Sequence, residues 1–244
     1  MPLVSTRAVI LQTFPYSDTS RILRFLSEDL GVRSVVAKGA LRPKSRFGGL
    51  LEPFTEGQVE FFLKEGKDLH TLSGFDLLRS RQAIGRNLAA FTGASLIAEL
   101  VLRYGTEESH PELFESVSDA LDALGAAEGD HAWRALAGVW HIVALLGYEP
   151  ELAACVVCGR TVPEDEPTRF DVDAGGIACT SCRPRGRIIE PGPRASIQAM
   201  VRGVAPGPPD DWSLHRALLR AFLTSHLVSD RPLRSLDLFV EELR

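Results

Sequence analysis

Cys155-Val156-Val157-Cys158-Gly159 and Ala178-Cys179-Thr180-Ser181-Cys182 contain all four cysteines of this 244-residue chain, as two C-x-x-C pairs with twenty residues between them. This spacing sits at the upper edge of the zinc pattern of paired cysteines about fifteen to twenty residues apart. Each C-x-x-C turn presents two sulfurs to one metal, and zinc takes four in a tetrahedron. Gly175-Gly176 predicts a tight turn between strands at Thr168–Val172 and Ile177–Cys179, which makes a small zinc ribbon of residues 150–190. Disulfides would require an oxidising compartment, and no secretory signal opens the chain. A redox C-x-x-C stands beside a βαβ pattern, which is absent. Four cysteines leave no vacant ligand position, so Cys155, Cys158, Cys179 and Cys182 predict one structural Zn2+ rather than a catalytic one.

N-terminal to this module the sequence has two distinct periods. Val4–Phe14, Ser20–Leu26, Val32–Ala37, Gly57–Leu63 and Asp68–Phe75 read as five short strands, with a hairpin loop at Lys64-Glu65-Gly66-Lys67. Five such strands suit a small β-barrel, of the oligonucleotide-binding (OB) or the SH3-like type. From about Ser80 the period becomes helical. Ile84, Leu88, Phe91, Ile97, Val101, Leu102 and Tyr104 predict one long helix, Pro111 to Gly125 a second, and Trp133 to Leu146 a third. Beyond the cysteines, Arg194–Val201, Trp212–Val228 and Leu236–Leu243 also read as helical. The fold class is α+β: a barrel over 1–79, then a helical domain over 80–244 into which the zinc ribbon is inserted.

The net charge of -5 conceals an uneven distribution. Residues 1–80 carry 11 Lys/Arg against 9 Asp/Glu, residues 81–150 carry 4 against 10, and residues 151–244 carry 12 against 13. Such asymmetry bears on polyanionic partners more than the total does. Lys38-Gly39-Ala40-Leu41-Arg42-Pro43-Lys44-Ser45-Arg46 packs four cations and no acid directly after a predicted strand. At a barrel rim, Lys38, Arg42, Lys44 and Arg46 would line a groove for phosphates. Arg7, Arg21, Arg24 and Arg33 on neighbouring strands would extend that face. Arg183, Arg185 and Arg187, at alternate positions after the last cysteine, would give a second basic edge, to which Arg160 and Arg169 add.

No catalytic constellation accompanies these features. The sequence has no G-x-x-x-x-G-K-[ST], no G-x-S-x-G and no H-x-x-x-H. His110-Pro111-Glu112 spells the H-x-E of a zinc deaminase, but neither cysteine pair has the preceding proline of that signature. No apolar run is long enough to span a bilayer. A non-enzymatic cytoplasmic protein is expected, with no membrane association and no small-molecule substrate.

Together these stretches resemble the bacterial RecO family of recombination mediators. The resemblance rests on Leu146-Gly147-Tyr148-Glu149-Pro150-Glu151-Leu152 with the two cysteine pairs, on Ala8-Val9-Ile10-Leu11, and on Tyr16-Ser17-Asp18-Thr19-Ser20. Ala37-Lys38-Gly39-Ala40, Lys44-Ser45-Arg46 and Leu51-Glu52-Pro53-Phe54 add to it, and it runs from about Val4 to the terminal helix. It implies an N-terminal OB-fold and a zinc-bearing helical domain. It also implies a nucleoid-associated protein that binds single- and double-stranded DNA and anneals complementary strands. The implied partners are RecR, with which it would help load RecA, and single-strand binding protein (SSB) on the coated DNA. The rival reading is a zinc-ribbon adaptor that binds protein and not DNA; overall acidity and the scarcity of aromatics around the basic loop favour it.

Overall fold

A computed structural model describes residues 1–182, 186–208, 211–228 and 231–242. Five strands, β1 (Leu3–Pro15), β2 (Arg21–Ser27), β3 (Gly31–Ala37), β4 (Glu56–Phe62) and β5 (Leu69–Arg79), close into a barrel of order β1-β2-β3-β5-β4. Closure follows because β1 pairs antiparallel with both β2 and β4, while β3 and β5 pair in parallel. Parallel neighbours require a long crossover, and here it consists of the basic loop followed by β4. Alternation sends Ala8, Ile10, Leu23, Phe25, Val35, Val59 and Phe61 inward to a barrel core of their own. The opposite parity, Val9, Leu11 and Leu26, belongs instead to the core shared with the helices.

The helices are α1 (Leu88–Tyr104), α2 (Pro111–Gly125), α3 (His131–Leu145), α4 (Pro191–Val201), α5 (Trp212–Leu227) and α6 (Arg234–Glu242). The starts of α1, α2, α3 and α5 follow from capping side chains. Asn87 Oδ1 accepts from the Ala90 N–H at 2.9 Å, Asp130 Oδ1 from Trp133 at 2.9 Å and Asp211 Oδ1 from Leu214 at 2.9 Å. His110 Nδ1 accepts from Leu113 at 3.0 Å, so the histidine of the H-x-E spelling is a helix cap.

The single long helix expected from Ile84 onward is two elements. Ile84 sits in a 3-10 turn, Gln82–Arg86, and Asn87 is extended before it caps α1. The expected apolar face of α1 is met in part: Ile97 and Val101 are buried, whereas Leu88 and Phe91 are 59% and 46% exposed. Small residues share the packed face with Leu96, Ile97, Leu100 and Val101: a Cβ on Gly93 would lie 2.3 Å from the Ala135 Cβ on α3. The missing side chain at Gly93 lets α1 and α3 approach closely.

A buried ionic junction fixes the barrel to the helices. Arg81 donates to Glu56 Oε2 at 2.8 Å, to Asp122 Oδ1 at 2.6 Å, to the Ser118 hydroxyl at 2.8 Å and to the Phe54 carbonyl at 3.1 Å. Glu56 is 1% exposed. Burial opposes its ionisation, yet the Ser118 and Arg81 hydrogen bonds outweigh it and hold the carboxyl below its usual range. Phe54 has a φ of 69°, rare for a side chain other than glycine. Its ring lies in the core shared with the helices, edge-on to Phe91 of α1 with centroids 6.1 Å apart.

Candidate metal centre and basic barrel rim

The cysteine module hangs on a small sheet of order β7-β6-β8, with β6 (Thr168–Asp171), β7 (Gly176–Ala178) and β8 (Arg187–Ile189). Gly176 is obligatory there, since a Cβ would meet the Glu151 carbonyl at 2.4 Å. The first knuckle closes through the Gly159 N–H to the Cys155 carbonyl at 2.8 Å, with Gly159 at φ 73°. These turns bring the four sulfurs within 4.8 Å of one another. The Cys155–Cys182 and Cys158–Cys179 sulfurs are 3.9 Å apart, and Cys179–Cys182 are 3.5 Å apart. A disulfide would need about 2.05 Å, whereas the edge of a zinc tetrathiolate with about 2.3 Å bonds is about 3.8 Å. All four are free thiols in the geometry of a metal site.

The electrostatics favour a cation at the centre. Burial opposes ionisation of Cys155, but N–H groups of Cys179, Cys158 and Val157 outweigh it and bring its pKa down to about 6. Arg160 lowers that of Cys179, and the neighbouring Cys179 and Cys158 sulfurs raise Cys182 to about 12. Thiolates this close repel one another, so full deprotonation requires a bound metal, and binding releases protons. The module is anchored from outside by Arg194 of α4. This 2% exposed guanidinium donates to the carbonyls of Leu152, Pro163 and Val162 at 2.9, 2.8 and 2.9 Å. His226 of α5 adds a bond to the Val172 carbonyl at 2.6 Å.

The basic loop caps one end of the barrel as a chain of tight turns. The N–H groups of Arg42, Ser45 and Gly48 reach the carbonyls of Gly39, Arg42 and Ser45, and Leu41 bonds to Thr19 of the β1–β2 turn at 3.0 Å. Phe47 and Leu51 plug the barrel core beneath. Lys38, Arg42, Lys44 and Arg46 are exposed and line a shallow hollow of about 310 Å³. Among the described residues none of the four has an ion-pair partner. Arg46 is the least free, lying over the Phe47 ring at 4.7 Å and donating to the Ser73 carbonyl.

The strand arginines do not join this face as one group. Arg21 donates to the Leu51 carbonyl at 3.1 Å and to Glu52 at 3.0 Å, bracing the loop's return. Arg24 has the opposite parity and reaches away, to the Leu102 carbonyl of α1 at 3.1 Å. Arg7 pairs with Glu28, Glu56 and Glu115, and Arg33 pairs with Glu107. In the cysteine module, Arg160 is bidentate to Glu166, and Arg169 donates to the Gly186 carbonyl at 2.9 Å. Arg183 and Arg185 lie outside the described residues. Sequence reading missed Arg81 and Arg194, the two buried arginines among the described residues; their local signal was a cation in or beside an apolar run. Among the described residues no helix is long and apolar enough to cross a membrane.

A closed five-stranded barrel, a helical region and an inserted four-cysteine cluster define a two-part protein with a basic rim. Comparison with known proteins is consistent along the chain. Residues 1–81 match the family described as recombination protein O N terminal, and residues 85–237 match recombination protein O C terminal. The DNA repair protein RecO of Bifidobacterium longum (strain DJO10A) is 32% identical over 251 residues, covering 98% of this chain and 99% of that protein. The DNA repair protein RecO of Anaeromyxobacter sp. (strain K) is 33% identical over 240 residues, covering 93% and 92%. That of Rubrobacter xylanophilus is 29% identical over 236 residues, covering 95% and 94%. The chain belongs to the RecO family. Its general role is therefore that of a non-catalytic protein of DNA repair and recombination.

Proposed function

We propose that the chain is a DNA-binding recombination mediator whose primary contact is the barrel rim. Residues 1–79 form one domain, an OB-fold in which the β1-β2-β3-β5-β4 order supports the assignment. Residues 80–244 form the second, with the module at 150–190 as a zinc ribbon. The observation that carries the reading is the acid-free rim. Lys38, Arg42 and Lys44 are exposed, have no ion-pair partner among the described residues, and stand around one hollow. Cations left unpaired by the fold bind phosphates by releasing counterions, which gives salt-dependent, sequence-tolerant affinity for single- and double-stranded DNA. Arg46 completes the rim and Arg21 braces it, while Arg183 and Arg185 of the zinc module add a further contact.

The four cysteines hold one structural Zn2+, which supports the shape of the module and takes no part in a reaction. Holding two strands on one protein raises their effective concentration and promotes annealing. With RecR the protein helps load RecA onto DNA coated by SSB, and it works in the cytoplasm, at the nucleoid. The experiment is fluorescence anisotropy of a labelled single-stranded oligonucleotide and its duplex, from low to moderate salt. Binding of both, with log affinity falling by roughly 0.7 per phosphate on the single strand, is the expected result. Absence of binding at low salt would sink the reading and leave a protein-only adaptor.

A further inference from the structure

Arg24 leads to a second basic feature. It lines a groove of about 390 Å³ between the outer face of the barrel, α1 and the start of α6. Two more arginines share the groove, Arg103 from the last turn of α1 and Arg234 from the first turn of α6. Among the described residues none of the three has an ion-pair partner, and the buried Arg103 Nη1 has no hydrogen-bond partner. The one carboxylate in the lining, Glu99, is already engaged. Its two oxygens accept the backbone N–H groups of Arg234 and Ser235 at 3.1 and 2.8 Å, capping α6. Three guanidinium groups against one engaged carboxylate make the groove electropositive.

Its floor is apolar and aromatic. Phe54 is held there by its left-handed backbone, and Phe91, 46% exposed, meets it edge-on and leaves its own ring available. Strand β2 links the groove to the rim. Along β2 the Arg24 row (paired with Gln12) and the Arg21 row (paired with Pro15) are three residues apart, about 10 Å. The exposed Phe14 and Tyr16 stand on this path, and the β1–β2 turn beyond is bonded to the basic loop.

We propose that this groove is a second single-strand track, in which Arg24, Arg103 and Arg234 take phosphates and Phe91 stacks a base. Its occupant is a nucleic-acid strand other than the one on the rim. Three guanidinium groups around an exposed ring are what a sequence-tolerant single-strand site requires. Two tracks, one on the barrel rim and one between the barrel and the helices, would present two strands on one protein, which pairing needs. The inference rests on the DNA-binding reading above, and the test separates the two.

The full-length, zinc-loaded protein is mixed with donor-labelled and acceptor-labelled oligothymidines, which cannot pair with each other, and mass photometry selects complexes with one protein copy. Energy transfer in a complex of one protein and two strands is expected. Arg103→Ala with Arg234→Ala should lower it at least about fivefold while leaving the affinity for the first strand within about twofold. As a check independent of any variant, photocrosslinking of a 5-iodouracil oligonucleotide to the wild-type protein should label Phe91. Unchanged transfer in the double variant, one-protein complexes that never hold two strands, or no label at Phe91 would overturn the second track while leaving the rim site standing. A complete lack of binding by the wild type would overturn both. An Asp/Glu-rich labelled peptide that binds the wild type but not the double variant, with transfer unchanged, would overturn it by assigning the groove to a protein partner.

Discussion

The barrel junction and the barrel rim use the same residue type for opposite purposes. At the junction, Arg81 is buried and meets Glu56, Asp122, Ser118 and the Phe54 carbonyl. At the rim, Arg42 and its lysine neighbours are exposed and face solvent around a hollow. A desolvated cation with fixed partners contributes to shape, and its removal strands a buried charge. An exposed cation without partners contributes almost nothing to shape and keeps its full charge for a phosphate. Cation count alone therefore says little about a binding face, because partnership decides which arginines remain available.

This contrast can be broken at several points, the largest effect lying in the metal centre. Cys155→Ser should abolish metal retention and the order of the module together, since binding energy in a structural zinc site is also folding energy. Zinc content and protease resistance of the module measure this; a metal-free variant as stable as the wild type would contradict it. Next comes Arg81→Ala, expected to cost about 3 kcal/mol in urea unfolding because the buried Glu56 loses its nearest counter-charge, at 2.8 Å, and keeps only the longer contacts to Arg7 and Arg79 at 3.4 and 3.7 Å. Arg194→Ala should cost about 1–3 kcal/mol, because the Val162 carbonyl is left unpaired while those of Leu152 and Pro163 keep bonds from Gln198 and Glu166, and Arg194→Lys should recover only part of it.

Acid should loosen the structure in two stages. His215 is 1% exposed, neither ring nitrogen has a hydrogen-bond partner among the described residues, and burial pushes its pKa below the usual 6.5. His70 is shifted the same way, by burial and by Arg33. The unfolded chain then takes up protons near pH 6.5 while the folded one does not, so stability is full above that pH and declines below it. Glu56, shifted down, contributes stability present above its ordinary 4.5 and lost as pH falls through its lower folded value. Melting curves between pH 7.5 and 5 should flatten in His215→Gln, and an unchanged slope would exclude that histidine as a source.

Much of this organisation was legible in the sequence. The cysteine spacing, the strand alternation and the acid-free run at 38–46 are local signals, and each has a local physical cause. The Asn87 break was legible in principle as a helix-capping residue, but the apolar run across it hid the boundary. Arg24 was also legible in part: Leu23 and Phe25 point inward, so Arg24 must point outward, and it cannot share a face with Arg21. What no local pattern carries is partnership across the fold. Arg81 meets residues from β4 and α2, and the groove joins Arg24, Arg103 and Arg234 from positions as far as 210 residues apart. Packing of Gly93 against Ala135 likewise joins the buried Ile97 and Val101 on the face of α1, where Leu88 and Phe91 were expected.

The most direct test of the contrast compares the wild type with Lys38→Ala, Arg42→Ala and Lys44→Ala combined, in salt-dependent anisotropy on a single-stranded oligonucleotide and in urea unfolding. Three phosphate contacts removed should reduce the log–log salt slope by about 2, with stability unchanged within about 0.5 kcal/mol. An unchanged salt slope would show that the free cations of the rim are not the DNA site, and the account would fail there.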